Sequence, residues 1–176
     1  MNDHSSPRVA LEKRGRNSQF GALVAWLGIV FVAAAIGGIG SADAPGFYAA
    51  LDRPAWAPPA GLFGPVWSVL YALMAIAIWL VWKDRERHAD AARLAVTLFA
   101  LQLGANALWS WVFFVWHSGA LALANILVLD ALVVATILAF RRVRPLAAGL
   151  LLPYLAWIAF ATALTWSTWQ RNPGLL

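Results

Sequence analysis

Apolar residues in this chain fall in long unbroken runs, with polar residues gathered between them. Phe20 to Gly40 and Gly64 to Trp82 contain no Asp, Glu, Lys or Arg, and neither does the longer stretch from Leu94 to Leu129. A helix rises about 1.5 Å per residue and bilayer hydrocarbon is about 30 Å thick, so roughly 20 apolar residues make one crossing. The stretch from Leu94 to Leu129 is too long for one crossing and must fold back. Its only polar, helix-loosening point is His117-Ser118-Gly119, which predicts a third span ending near Trp116 and a fourth from about Ala120 to Phe140. A fifth runs from Leu146 to about Trp169. The expected fold is all-α: an integral membrane bundle of five transmembrane helices over residues 20–172, followed by a short tail, 173–176. Residues 1–19 are polar, without an apolar period, and are expected to form a disordered cytoplasmic tail. The first span could instead be a secretory signal, but its apolar core exceeds the ~7 to 15 residues usual for one.

Composition agrees: 62% of the 176 residues are hydrophobic and 12% charged. The absence of cysteine excludes disulfides, thiolate metal sites, iron–sulfur clusters and cysteine nucleophiles. The net charge of +5 is arranged along the chain rather than clustered for nucleic acid. Eleven of the thirteen Lys and Arg lie in the N-terminal tail, at residues 83–93 and at 141–144, whereas the alternate connections hold only Arg53 and Arg171. Basic residues retain loops on the cytoplasmic side. A multi-pass protein of the cell (inner) membrane is therefore expected, with the N-terminus cytoplasmic and the C-terminus outside. The lipid bilayer is its expected partner, and nucleic acid is not.

Eleven Trp beside three Tyr direct attention to the aromatic positions. Trp67, Tyr71 and Met74 share a face of the second span, and Tyr154, Trp157, Ala161 and Leu164 one of the fifth. Such stripes are either ordinary core or the walls of a slot for a planar ligand. Gln102, Asn106, Trp109 and Phe113 follow one face of the third span; amides avoid lipid, so they either join helices or line a cavity. The first connection, Ser41 to Phe63, holds Phe47, Tyr48, Trp56, Pro54, Pro58 and Pro59, and is either an ordered cap or an interfacial belt. Asp130, the only acidic residue within a span, is expected to pair with a neighbouring helix; a proton-coupled role is the alternative. No His combines with Ser and Asp as a hydrolytic triad, and no metal site or phosphate loop is recognisable.

Several ordered blocks resemble one family. Trp56-Ala57-Pro58-Pro59, Gly64-Pro65-Val66-Trp67 with Leu70-Tyr71, Gln102-Leu103 with Asn106, Trp109 and Phe113-Phe114, and Pro153-Tyr154-Leu155-Ala156-Trp157 with Phe160-Ala161 and Leu164 are similar to signature segments of the TspO/MBR family of tryptophan-rich sensory and translocator proteins. The resemblance covers about Phe20 to Asn172. It implies a five-helix bundle, commonly a homodimer, binding porphyrins and other hydrophobic ligands beneath the first loop, with roles in tetrapyrrole-linked regulation and stress. Gln102, Asn106, Trp109, Ala161 and Leu164 resemble its pocket positions. Trp67 and Trp157 resemble the tryptophans implicated in light-dependent porphyrin breakdown, and so are the candidate catalytic residues if that reaction occurs. Asp130 resembles the acidic residue of the fourth helix. Thr165 and Phe47 depart from the Asn and Trp common at those places, and the segment Leu164 to Arg171 lacks the Tyr of the proposed cholesterol motif.

The expected activity is that of a membrane sensor holding a porphyrin, with no obligatory cofactor. Its ligand site is expected to comprise Trp56, Pro58, Trp67, Tyr71, Gln102, Asn106, Trp109, Phe113, Trp157, Ala161 and Leu164. The alternatives are a light-dependent porphyrin-degrading enzyme and a transporter of tetrapyrroles or sterols.

Overall fold

A computed structural model describes residues 7–176, with side chains from Gln19 onward. Of the tail expected to be disordered, residues 1–19, only 1–6 lie outside the described residues; from Pro7 onward the backbone is helical and continues into the first span. Among the described residues the ordered elements are all helical: α1 (Pro7–Gly40), α2 (Ala44–Ala50), a 3-10 turn (Ala60–Leu62), α3 (Phe63–Lys83), α4 (Ala89–Phe114), α5 (Gly119–Val143), α6 (Pro145–Leu150) and α7 (Leu152–Arg171). Five segments are long and apolar enough to cross a membrane, the last made of α6 and α7 together.

Helix ends follow local chemistry. Between α4 and α5 the chain reverses at His117, whose φ of 49° lies in the left-handed region that residues other than glycine seldom adopt. Arg144 is extended (φ −149°, ψ 102°) because it precedes Pro145, which then opens α6. The fifth span, expected as one run from Leu146, is interrupted at Leu151; Pro153 has no N–H to continue the ladder and sits in the first turn of α7 instead. Helix α4 begins at Ala89, five residues before the charge-free run, because Asp90 and Arg93 occupy a polar first turn beyond the apolar stretch.

Helices α4 and α5 form the most extensive pair; α1 packs on α3 and α4, α5 on α7, and α6 on α3 and α5. At the end carrying Lys83 and Arg144 the interior is filled by Met74, Ile78 and Val81 from α3, Phe99 from α4, Val133 and Phe140 from α5, and Ala147 from α6. Towards the opposite end α3 and α7 make almost no close backbone approach and meet through rings, Phe63 against Trp157 and Trp67 against Tyr154. One half of the bundle is therefore solid and the other hollow. The outer surface carries Val24, Ile39, Val69, Leu101, Leu127, Leu138 and Leu152, all exposed. An apolar belt of that extent is stable against lipid rather than water, so the chain is a multi-pass membrane protein.

Candidate ligand cavity

The hollow half holds a partly open cavity of about 410 Å³, within the size range of small-molecule sites. Helix α3 contributes Gly64, Trp67 and Tyr71, α4 Asn106, Trp109, Ser110, Phe113 and Phe114, and α7 Trp157, Ile158, Ala161, Leu164, Thr165 and Thr168. Ile126 and Leu129 of α5 complete that wall, while α1 supplies Ala34, Gly37 and Gly38, whose lack of bulk leaves room. Ala44, Pro45, Tyr48 and Ala60 close the end.

Aromatic rings dominate the wall and brace one another. Trp109 stacks on Phe113 (centroids 5.0 Å, planes 13° apart), Trp67 leans on Tyr71 at 5.4 Å, and Trp157 meets Phe63 edge-on at 5.9 Å. Asn106 Nδ2 donates to the Tyr71 hydroxyl at 3.2 Å, which places a polar pair in an otherwise apolar wall. The indole N–H groups of Trp109 and Trp157 are buried without an acceptor among the described residues. An unpaired buried donor costs about 1–3 kcal/mol, so both are suited to meet an acceptor on a bound molecule. No His, Cys or Met lines the cavity, so the wall offers a planar ligand contact by stacking rather than by a nitrogen or sulfur bond to a central metal.

The first connection is an ordered cap. The Tyr48 hydroxyl donates to the Pro58 carbonyl at 2.9 Å, joining the two sides of the loop, and Arg53 lies 4.6 Å from the Tyr48 ring centre. Leu51 is buried with Val112, Phe113 and Ala122, and Phe47 stacks on His117 at 4.2 Å. Asp52 is held by Asn172 at the end of α7.

Of the residues singled out from the sequence, Trp67, Tyr71, Asn106, Trp109, Phe113, Trp157, Ala161 and Leu164 line this cavity together. Trp56, Pro58 and Gln102 do not. Trp56 is half exposed and rests edge-on against Phe160 at 5.7 Å, outside the wall, and Pro58 serves the cap through its carbonyl. Gln102 lies one turn deeper than Asn106, in the solid half, with Nε2 3.9 Å from Met74 Sδ. Asp130 pairs across helices as expected, its Oδ2 accepting from Thr162 Oγ1 of α7 at 2.8 Å. Sequence reasoning missed the contribution of α1, since small residues in an apolar run carry no chemical signal. It also missed Thr165, Thr168 and Ser110, although Thr165 follows Leu164 directly on the same wall.

Comparison with known proteins agrees with this architecture. Residues 25–170 match the TspO/MBR family. The chain is 40% identical over 128 residues to the translocator protein of Homo sapiens, covering 73% of this chain and 76% of that protein. It is 40% identical over 131 residues to the tryptophan-rich protein TspO of Chlorobaculum tepidum, with 72% and 80% covered. Protein CrtK of Rhodobacter capsulatus is 36% identical over 148 residues, with 83% and 92% covered. By its helices, its aromatic cavity and these matches, the chain belongs to the TspO/MBR family.

Proposed function

We propose that this protein is a membrane-embedded sensor that binds a porphyrin in the cavity beneath the first loop. One observation carries the reading: indoles from three different helices, Trp67, Trp109 and Trp157, line a single cavity. Large flat rings gain from offset and edge-on contact with other rings, and a tetrapyrrole presents that surface on both faces. Its carboxylates would be placed at the capped end, where Arg53 lies beside Tyr48. The basic-residue asymmetry supports an orientation with that end outside the cell membrane and the N-terminus in the cytoplasm.

Titration of the purified protein with protoporphyrin, read by tryptophan fluorescence, tests the proposal. Saturable quenching at one porphyrin per chain is expected; a linear response equal to that of free tryptophan would overturn it.

A second reading rests on Trp67 and Trp157 at the same wall. An indole against a photoexcited porphyrin can donate an electron to it, with dioxygen as terminal oxidant of the ring. A new absorbing product after illumination of the complex in air would support that chemistry, and unchanged pigment would support a sensor alone.

A further inference from the structure

The end of the bundle opposite the cavity carries charge that the ligand reading does not use. Lys83, Arg85, Arg87 and Arg93 flank the connection between α3 and α4, and Arg141, Arg142 and Arg144 close α5. Arg144 Nη1 lies 3.0 Å from Asp84 Oδ2, which ties the two segments into one rim. Among the described residues, every acidic residue of this rim is engaged. Asp84 faces Arg144, Glu86 lies 3.3 Å from Arg85, and Asp90 lies 3.8 Å from Arg93. Arg85 is held further by donating to the Trp82 carbonyl and by lying 4.4 Å over the Trp82 ring. Lys83, Arg87, Arg141 and Arg142 remain, all exposed and without an acidic partner among the described residues.

Their depth identifies what they meet. On α5 the exposed apolar surface reaches Leu138, one turn before Arg141 and Arg142. On α3, Lys83 Nζ lies 5.0 Å over the ring of Trp79, whose Nε1 donates to the Gln19 carbonyl. Cations one turn past an apolar belt, beside indoles, sit at the level of lipid headgroups. Guanidinium groups there match phosphodiester oxygens in shape and charge. The four are spread along a rim and form no enclosed cradle, which suits a charged surface more than a small free anion.

We propose that this rim is a binding surface for anionic phospholipid headgroups. A phosphatidylcholine headgroup cancels its own phosphate with a quaternary amine, whereas phosphatidylglycerol leaves the charge uncompensated, so the rim enriches the second lipid around the protein.

The test reconstitutes the full chain in phosphatidylcholine bilayers with a trace of spin-labelled phosphatidylglycerol or phosphatidylcholine, and reads the motionally restricted fraction by electron paramagnetic resonance. A larger restricted fraction is expected for phosphatidylglycerol, shrinking as salt rises. Each cation near the surface contributes severalfold in association. The combined variant Arg87→Gln, Arg141→Gln, Arg142→Gln should therefore lose at least about half of the excess, while its response to protoporphyrin stays that of the parent. Equal fractions for the two lipids, or a full excess in the variant, would overturn the proposal. Loss of the excess on adding inorganic phosphate at constant ionic strength would also overturn it, by showing a site for the free anion.

Discussion

Asn172 holds Asp52 through both of that residue's backbone groups: the Asp52 N–H donates to Asn172 Oδ1 at 2.9 Å, and Asn172 Nδ2 donates to the Asp52 carbonyl at 2.9 Å. The same amide donates to the Thr168 carbonyl at 2.7 Å, so one nearly buried side chain fastens the cap to the last turn of α7. Thr168 itself lines the cavity, and cap and wall therefore share a joint.

Asn172→Ala should free that joint. Removing two hydrogen bonds to Asp52 is expected to cost about 1–3 kcal/mol locally, and amide hydrogen exchange across residues 44–60 should accelerate while the spans stay protected. Bound porphyrin should dissociate faster. Unchanged exchange in the loop would show that Leu51 and Phe47 hold the cap without Asn172.

Gly119 opens α5 directly beneath Trp169 of α7, and a Cβ at that position would collide with the indole. Helix ends at the capped side are thus set by one absent methyl group. Gly119→Ala should destabilise the protein by about 1–3 kcal/mol, the usual range for overpacking, measured as a lower midpoint of thermal unfolding in detergent. Adding Trp169→Leu should recover part of the loss; no recovery would place the cost elsewhere than in that contact.

Asp130 and Thr162 join α5 to α7 through a hydroxyl shared with the Ile158 carbonyl, 2.9 Å away. Asp130→Asn keeps an oxygen for that hydroxyl, so porphyrin affinity should stay within about twofold of the parent, as expected when one modest hydrogen bond replaces another. Loss of binding or of ligand flux in this variant alone would mean that the carboxylate itself takes part, as a proton-coupled transporter requires.

The spans were legible because hydrocarbon admits only long apolar helices, and one polar break, His117 to Gly119, divides the longest run where the chain does reverse. Helical spacing also found the three tryptophans of the cavity wall and several of their neighbours, since residues three and four apart share a face. Trp67 with Tyr71, Asn106 with Trp109 and Phe113, and Trp157 with Ala161 and Leu164 all meet the same space. Periodicity carries no depth, however. Gln102 shares a stripe with Asn106 yet lies where the bundle is solid, and Trp56 belongs to the loop whose Tyr48, rather than its indole, faces the cavity. Asn172 gave no signal either, because a polar residue after a helix is common and its partner stands 120 positions away in sequence.

The claim on which the rest depends is that indoles from separate helices grip one planar ligand, and the affinity of the Trp67→Leu, Trp157→Leu double variant for protoporphyrin tests it most directly. Each ring pair contributes about 0.5–1.5 kcal/mol beyond its buried area, so the variant, shown to be folded by circular dichroism, should bind at least roughly tenfold more weakly. Parent-like affinity in the folded double variant would contradict the account.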